Sequence, residues 1–271
     1  MAVVDEPVAS TGEVEAPVDD QRPLRWWREL LLAMIFYGIY SLVRNTQGSA
    51  LVSRAVAEAN AFRVITLERF FGIYQERWLQ QLFVGDHPWM VVWNFFYGTF
   101  HFVVTAAVLV FLFRRFPERY RVWRNALAVT TALALIGFAM YPLLPPRLLP
   151  SGYGFIDSLK VFGSPWSFDS GSMQVISNQY AAMPSLHFAW SLWSGLALLS
   201  VVRRPLAKAL ALLYPALTLM SIIITANHFL LDAMAGAAAL VVGWVLGRAM
   251  YRRSLITAIL RPVAMTVKAR G

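Results

Sequence analysis

The sequence predicts an all-α integral membrane bundle of six transmembrane helices plus an outer amphipathic helix. Three observations predict it. Six apolar runs each reach the roughly 18 to 25 residues that a helix needs to cross a hydrocarbon core. The basic residues between those runs alternate between a rich side and a poor side. The chain is 58% hydrophobic and 14% charged, with a mean hydropathy of +0.54, whereas a soluble domain carries about 25% charged residues. So little charge cannot cover this much apolar surface in water, which makes the bilayer the expected solvent.

The expected spans run near Trp26–Val43, Trp89–Phe113, Trp123–Tyr141, Pro184–Val202, Leu206–Ala226 and Phe229–Met250. Trp26, Trp27, Trp89, Trp123 and Tyr141 mark their ends, as side chains of the interfacial belts do. The first run is interrupted by Gly38 and Ser41, and the last two are blurred by His228 and Asp232. Six crossings put both termini on one side. That side would hold 17 of the 24 basic residues, among them Arg22, Arg25, Arg28, the group from Arg114 to Arg124, Arg203, Arg204, Lys208 and the C-terminal cluster. The positive-inside rule makes it cytoplasmic. A multi-pass cell-membrane protein with both termini cytoplasmic is expected.

Residues 1–24 read as a disordered acidic cytoplasmic tail, residues 25–255 as the six-span membrane domain and residues 256–271 as a basic cytoplasmic tail. Asp5, Glu6, Glu13, Glu15, Asp19 and Asp20 open the chain with no Lys or Arg among them. A secretory signal needs a basic start and an early apolar run, so the first span is expected to be retained. Between the first two spans, Leu51, Val52, Ala55, Val56, Ala59 and Phe62 recur at helical spacing opposite Arg54 and Glu58. This pattern predicts an amphipathic helix on the membrane or capping the bundle. Residues 142–183 are rich in Pro, Gly and Ser and read as a loop. Loops of this length in a compact protein are usually functional.

Several function classes are excluded at once. The chain has no cysteine, so thiolate nucleophiles, disulfides and Cys-ligated metals are ruled out. Its net charge of +9 comes with no basic helix or RNA motif, so the expected partner is anionic lipid and not nucleic acid. Nothing legible specifies an oligomeric state.

Two short stretches carry chemistry. In Met183-Pro184-Ser185-Leu186-His187, Pro184 suits a first helical turn, whose open N–H groups, with Ser185, form an anion site. His187 lies one turn in. In Asn227-His228-Phe229-Leu230-Leu231-Asp232, His and Asp at i and i+4 share a helix face. The carboxylate would fix the imidazole tautomer and raise its basicity, which suits a nucleophile. A satisfied polar pair joining helices is the alternative reading. The six-span topology brings both motifs to the outer membrane face. Asn94, Tyr97 and His101 recur along the second span as a candidate headgroup pocket, or as an internal hydrogen-bond cluster. His87 sits beside Pro88 without a partner motif.

Pro-Ser-x-His followed by His-x-x-x-Asp resembles the type 2 phosphatidic acid phosphatase superfamily, over about residues 90–250. The wording Met-Pro-Ser-Leu-His and Asn-His-Phe-Leu-Leu-Asp-Ala is most similar to its inositolphosphotransferase branch, which includes inositol phosphorylceramide synthases. The resemblance implies that His228 takes a phosphoryl group, that Asp232 orients it and that His187 protonates the leaving oxygen, with no metal or other cofactor. The family's Ser-Arg-x5-His is replaced by Ser221-Ile222, and its Lys-x6-Arg-Pro is absent. Arg147 and Lys160 are the candidate phosphate-binding substitutes, beside Ser185. The expected substrate is a lipid phosphate or phospholipid, and the acceptor water, a polyol or a sugar. Two other classes stand beside this one: a His–His–Asp metal triad, and a non-catalytic transporter or scaffold that retains the fold.

Overall fold

The computed structural model describes residues 24–46, 53–163 and 179–259. Among them every regular element is helical: α1 (Trp26–Thr46), α2 (Arg54–Phe70), α3 (Glu76–Val84), α4 (His87–Arg115), α5 (Pro117–Met140), α6 (Ser158–Phe162), α7 (Leu186–Leu199), α8 (Pro205–Ile224) and α9 (Leu230–Ile259). Most of the acidic tail, most of the basic tail and residues 164–178 of the long loop lie outside the described residues. The boundary expected at residue 255 falls inside α9.

The helix limits follow from local chemistry. Pro117 and Pro205 open α5 and α8 at the position where a missing N–H costs nothing. Arg114 and Arg115 close α4, where positive charge suits the helix dipole. Ser185 caps α7 by accepting from the Phe188 N–H at 3.4 Å. Pro215 lies inside α8, so the Ala211 carbonyl loses its donor. Gly195 fills that gap: a Cβ there would lie 2.5 Å from the Ala211 oxygen.

Four helices among the described residues are long and apolar enough to cross a membrane: α4, α5, α8 and the first 24 residues of α9. Of the six expected spans, four are thus helices of that length and character. Helix α7 is apolar but only 14 residues long, because Ser185 is extended at its start and Ser200 ends it. Helix α1 has 21 residues, but Arg28, Glu29 and Arg44 dilute it. Val103, Val110, Leu210, Leu213, Val241 and Val245 are all exposed on the flanks of the long helices. A belt of this kind on a soluble protein would aggregate, whereas in a bilayer it is solvated by lipid.

The single amphipathic helix expected near residue 55 is two helices, α2 and α3, joined through Gly72 at φ +70°. Its apolar stripe turns outward. Ala55, Val56, Ala59 and Phe62 face outward, and the buried face carries Ala57, Asn60, Ala61, Val64, Ile65 and Glu68. Leu51 and Val52 lie outside the described residues. Small and polar side chains face the protein here because they allow close approach and hydrogen bonds, as is usual between helices in lipid. Helix α2 packs on Leu143, Leu144, Tyr180, Ala182 and Phe229. A second core at the other end joins Leu112, Tyr120, Trp123, Trp193 and Leu240, where the Trp193 indole donates to the Trp123 carbonyl at 2.8 Å.

Candidate functional site

Helix α8 ends in a Schellman turn. Ala226, at φ +52°, donates to the Ile223 carbonyl at 2.8 Å, and Asn227 reaches back to that of Ile222 at 3.0 Å. The chain reverses within this turn, delivers His228 and enters α9. His228 is 3% exposed and Asp232 is fully buried. The His228 Nδ1 lies 3.2 Å from Asp232 Oδ2, which also accepts from the Phe229 N–H at 3.0 Å. A carboxylate oxygen can only accept, so Nδ1 carries the proton and the lone pair of the neutral ring falls on Nε2. That nitrogen lies 3.3 Å from His187 Nδ1, on the first turn of α7.

The starts of α7 and α9 are held against each other by main-chain contact. The Ser185 N–H donates to the Asp232 carbonyl at 2.9 Å, and a Cβ on Gly236 would stand 2.5 Å from the Ser185 oxygen. Gly236→Ala is therefore expected to push the two starts apart and to part the imidazoles. A displacement of about 1 Å can cost on the order of a hundredfold in rate, so turnover should fall by that order while the protein still folds. Parallel turnover and thermal-melting measurements check this.

The sequence-selected residues fall in different places. Tyr97 stacks on His187 with centroids 4.3 Å apart, and His101 packs on the same ring at 4.1 Å. Asn94 is buried with its amide occupied, donating to the Ser158 and Gly163 carbonyls at 2.9 Å and accepting from Ser158 Oγ. It staples the long loop to α4. Ser185 is fully buried, and its hydroxyl is engaged in the cap of α7. Arg147 reaches the turn before His228. Its Nε donates to Asn227 Oδ1 at 2.9 Å, its Nη1 to Asp157 at 2.9 Å, and its backbone N–H to the Ala226 carbonyl. Lys160 is exposed on α6, three residues after Arg147's partner Asp157, whose side chain accepts from the Lys160 N–H at 3.4 Å.

Two residues of the site were not singled out from the sequence. Glu68 of α2 accepts from the Leu231 N–H at 2.8 Å, and Glu76 of α3 accepts from the Leu230 N–H at 2.9 Å. With Asp232 on Phe229, three successive N–H groups at the start of α9 each meet a carboxyl group. Glu68 is 0% and Glu76 is 1% exposed, and the Oε2 atom of each is buried without a hydrogen-bond partner among the described residues. The signal for Glu68 was its spacing, since it continues the Ala57, Ala61, Val64 stripe that turns inward.

Burial, followed by the charge of Glu76, pushes the Glu68 carboxyl up from its ordinary 4.5 to about 9, and burial also raises Glu76. The groups facing the pair are Asp232 of α9 and Tyr74, whose ring carries the Arg69 guanidinium at 5.0 Å. A carboxyl whose folded-state value lies above its unfolded one contributes stability that is complete below the unfolded value and lost as pH rises through the folded one. The melting temperature is therefore expected to fall progressively between pH 4.5 and about 9, and Glu68→Gln should flatten that slope. Thermal scans across this range read both.

Fold and site together define a helical membrane protein with a buried histidine–aspartate dyad touching a second histidine where its spans end. A family model described as the PAP2 superfamily matches residues 63–246, more than half of the chain, and the chain belongs to that superfamily. No curated protein and no solved structure matches it. Membership suggests a lipid phosphatase or phosphotransferase kind of function, with a lipid phosphate substrate met in a membrane.

Proposed function

We propose that the protein is a metal-independent membrane lipid phosphotransferase or phosphatase that works through a phosphohistidine, and that it resembles the inositolphosphotransferase kind. The observation that carries this reading is the unbroken line Asp232–His228–His187, which leaves a lone pair on one imidazole directed at the other. His228 Nε2 attacks phosphorus, an N–P bond forms and the P–O bond to the lipid breaks. His187 gives its proton to the departing alkoxide. Water or a polyol hydroxyl then attacks phosphorus, the N–P bond breaks, and His187 takes back the proton.

At 3.3 Å the two rings leave no room for a phosphoryl group between them, so His187 swings aside as substrate binds. The Arg147 guanidinium, next to the turn that carries His228, exchanges Asp157 for phosphate oxygens. An apolar cleft of about 390 Å³ between α3 and α8, lined by Leu79, Leu219, Ile223 and Leu230, lies two residues from His228 and suits a hydrocarbon chain. In the bilayer α1 and α7 complete six crossings, with both termini cytoplasmic and the histidines outward, consistent with the placement of the basic residues.

The test uses purified protein in detergent with ³²P-labelled phosphatidic acid and a lipid diphosphate, with and without inositol, after exhaustive chelation. An acid-labile, alkali-stable phosphoprotein and release or exchange of the label are expected. Failure of every donor to label the protein would leave the transporter or scaffold reading in its place.

A further inference from the structure

Two buried carboxyl groups with no catalytic assignment stand directly behind the dyad. A buried carboxylate is costly, and a pair of them more so. Glu68 and Glu76 come from different helices, yet each points its Oε1 at one N–H of the same helical turn, at 2.8 and 2.9 Å. The two N–H groups they meet are neighbours in the chain, so the carboxyl groups lie side by side, and the Oε2 atom of each is buried without a hydrogen-bond partner among the described residues. One proton held between the two groups would satisfy both oxygens and remove one of two adjacent charges. The arrangement fits a carboxylic acid–carboxylate pair holding one proton, with its Oε1 atoms on Leu230 and Leu231. Those residues lie within the four-residue step that separates His228 from Asp232.

We propose that Glu68 and Glu76 are positioning residues for the nucleophile: sharing one proton, they clamp the first turn of α9 and so hold His228 and Asp232 in hydrogen-bonding register. This rests on the reading of His228 as nucleophile and adds the device that keeps it in place. The shared proton is essential to the geometry. Without it, two adjacent negative charges beside Asp232 repel, and the turn they grip is pulled open. With it, the remaining negative charge is held by the N–H groups and positive dipole of the α9 start. The value of about 9 for Glu68 places loss of that proton above neutral pH. Asp232 and Tyr74 are the other ionisable groups facing the pair.

A glutamine is the right probe because its amide copies the protonated carboxyl. One glutamine still accepts from the backbone N–H through its oxygen and donates through its NH₂ to the remaining carboxylate. Two glutamines set NH₂ against NH₂ and break the pair. Loss of a partner that orients a catalytic ligand typically costs about 10- to 100-fold. Glu68→Ala and Glu76→Ala should each lower kcat by that factor, with KM within about twofold. Glu68→Gln and Glu76→Gln should each stay within about threefold of wild type, while the double glutamine variant falls to the alanine level. Single glutamines as damaging as alanine, or a double variant as active as the singles, would overturn the proposal.

A second readout does not depend on turnover. In ¹⁵N-histidine-labelled protein, the His228 Nδ1–H resonance should be present in wild type and both single glutamine variants and absent in the double variant. Melting curves confirm that each variant is folded. An unchanged resonance in the folded double variant sinks the clamp. If no variant, wild type included, turns over any donor, the phosphotransferase reading fails while the resonance still decides the clamp.

Discussion

His228→Ala is expected to abolish turnover, by about 10⁴-fold or more, since removing a nucleophile outright forfeits most of the rate enhancement an active site provides. No other described side chain can replace it. Ser185 is buried and engaged as a helix cap, and His187 is the ring that serves the leaving group, stacked on Tyr97 and facing the His228 Nε2. The substitution also leaves buried Asp232 without its side-chain donor, at a cost of about 1–3 kcal/mol. His228→Asn is therefore the companion variant, because its amide keeps a donor near that carboxylate. Both should melt as folded proteins, fail to incorporate label from ³²P-phosphatidic acid and release no phosphate. Equal turnover in wild type and either variant would defeat the histidine mechanism.

Asp232→Asn should also lower turnover, for a different reason. Asp232 Oδ2 meets both the His228 Nδ1–H and the Phe229 N–H, so the amide oxygen takes that one place and the ring keeps its proton on Nδ1. What is lost is the negative charge that raises the basicity of the nucleophilic nitrogen, and loss of such a partner costs about 10- to 100-fold. KM should change little, because the phosphate contacts remain. Turnover together with the ¹⁵N shifts of His228 tests this: turnover equal to wild type would remove the role of the carboxylate.

The parts of the molecule that were legible in the sequence are those whose chemistry is written in short spacing. His228 and Asp232 are four residues apart, and a helical turn makes them neighbours in any fold. His187 joins them because topology alone brings two span ends together. The long apolar helices were equally legible by length. The exceptions are places where one residue type serves two solvents. Val56 and Phe62 mark the apolar stripe of α2, but the spacing does not say which way it turns: in lipid an apolar side chain has no reason to turn inward, and Ala57, Ala61 and Glu68 do so instead. Glu68 and Glu76 were not singled out for a related reason: a buried acid and an exposed one have the same letter, and only the N–H groups of α9, more than 150 residues away in sequence, distinguish them. Asn94 matched a pocket pattern because loop staples and ligand contacts use the same amide. Arg147 lies close to the dyad, but its salt bridge to Asp157 depends on a loop whose path no periodicity describes.

The glycines of α9 bear on how this site opens. Gly236, Gly243 and Gly247 are each seated against a neighbour's main chain, with the Ser185 oxygen, the Ala126 oxygen and the Ala126 nitrogen only 2.5, 2.8 and 2.6 Å from where a Cβ would be. A rod notched in this way at three heights can neither spin about its axis nor slip lengthwise without driving backbone into backbone. The aspartate side of the reaction centre is therefore an anvil. The give needed to seat a bulky amphiphile and let its remnant go belongs to the opposite wall, where the rings of Tyr97 and His101 stand over His187.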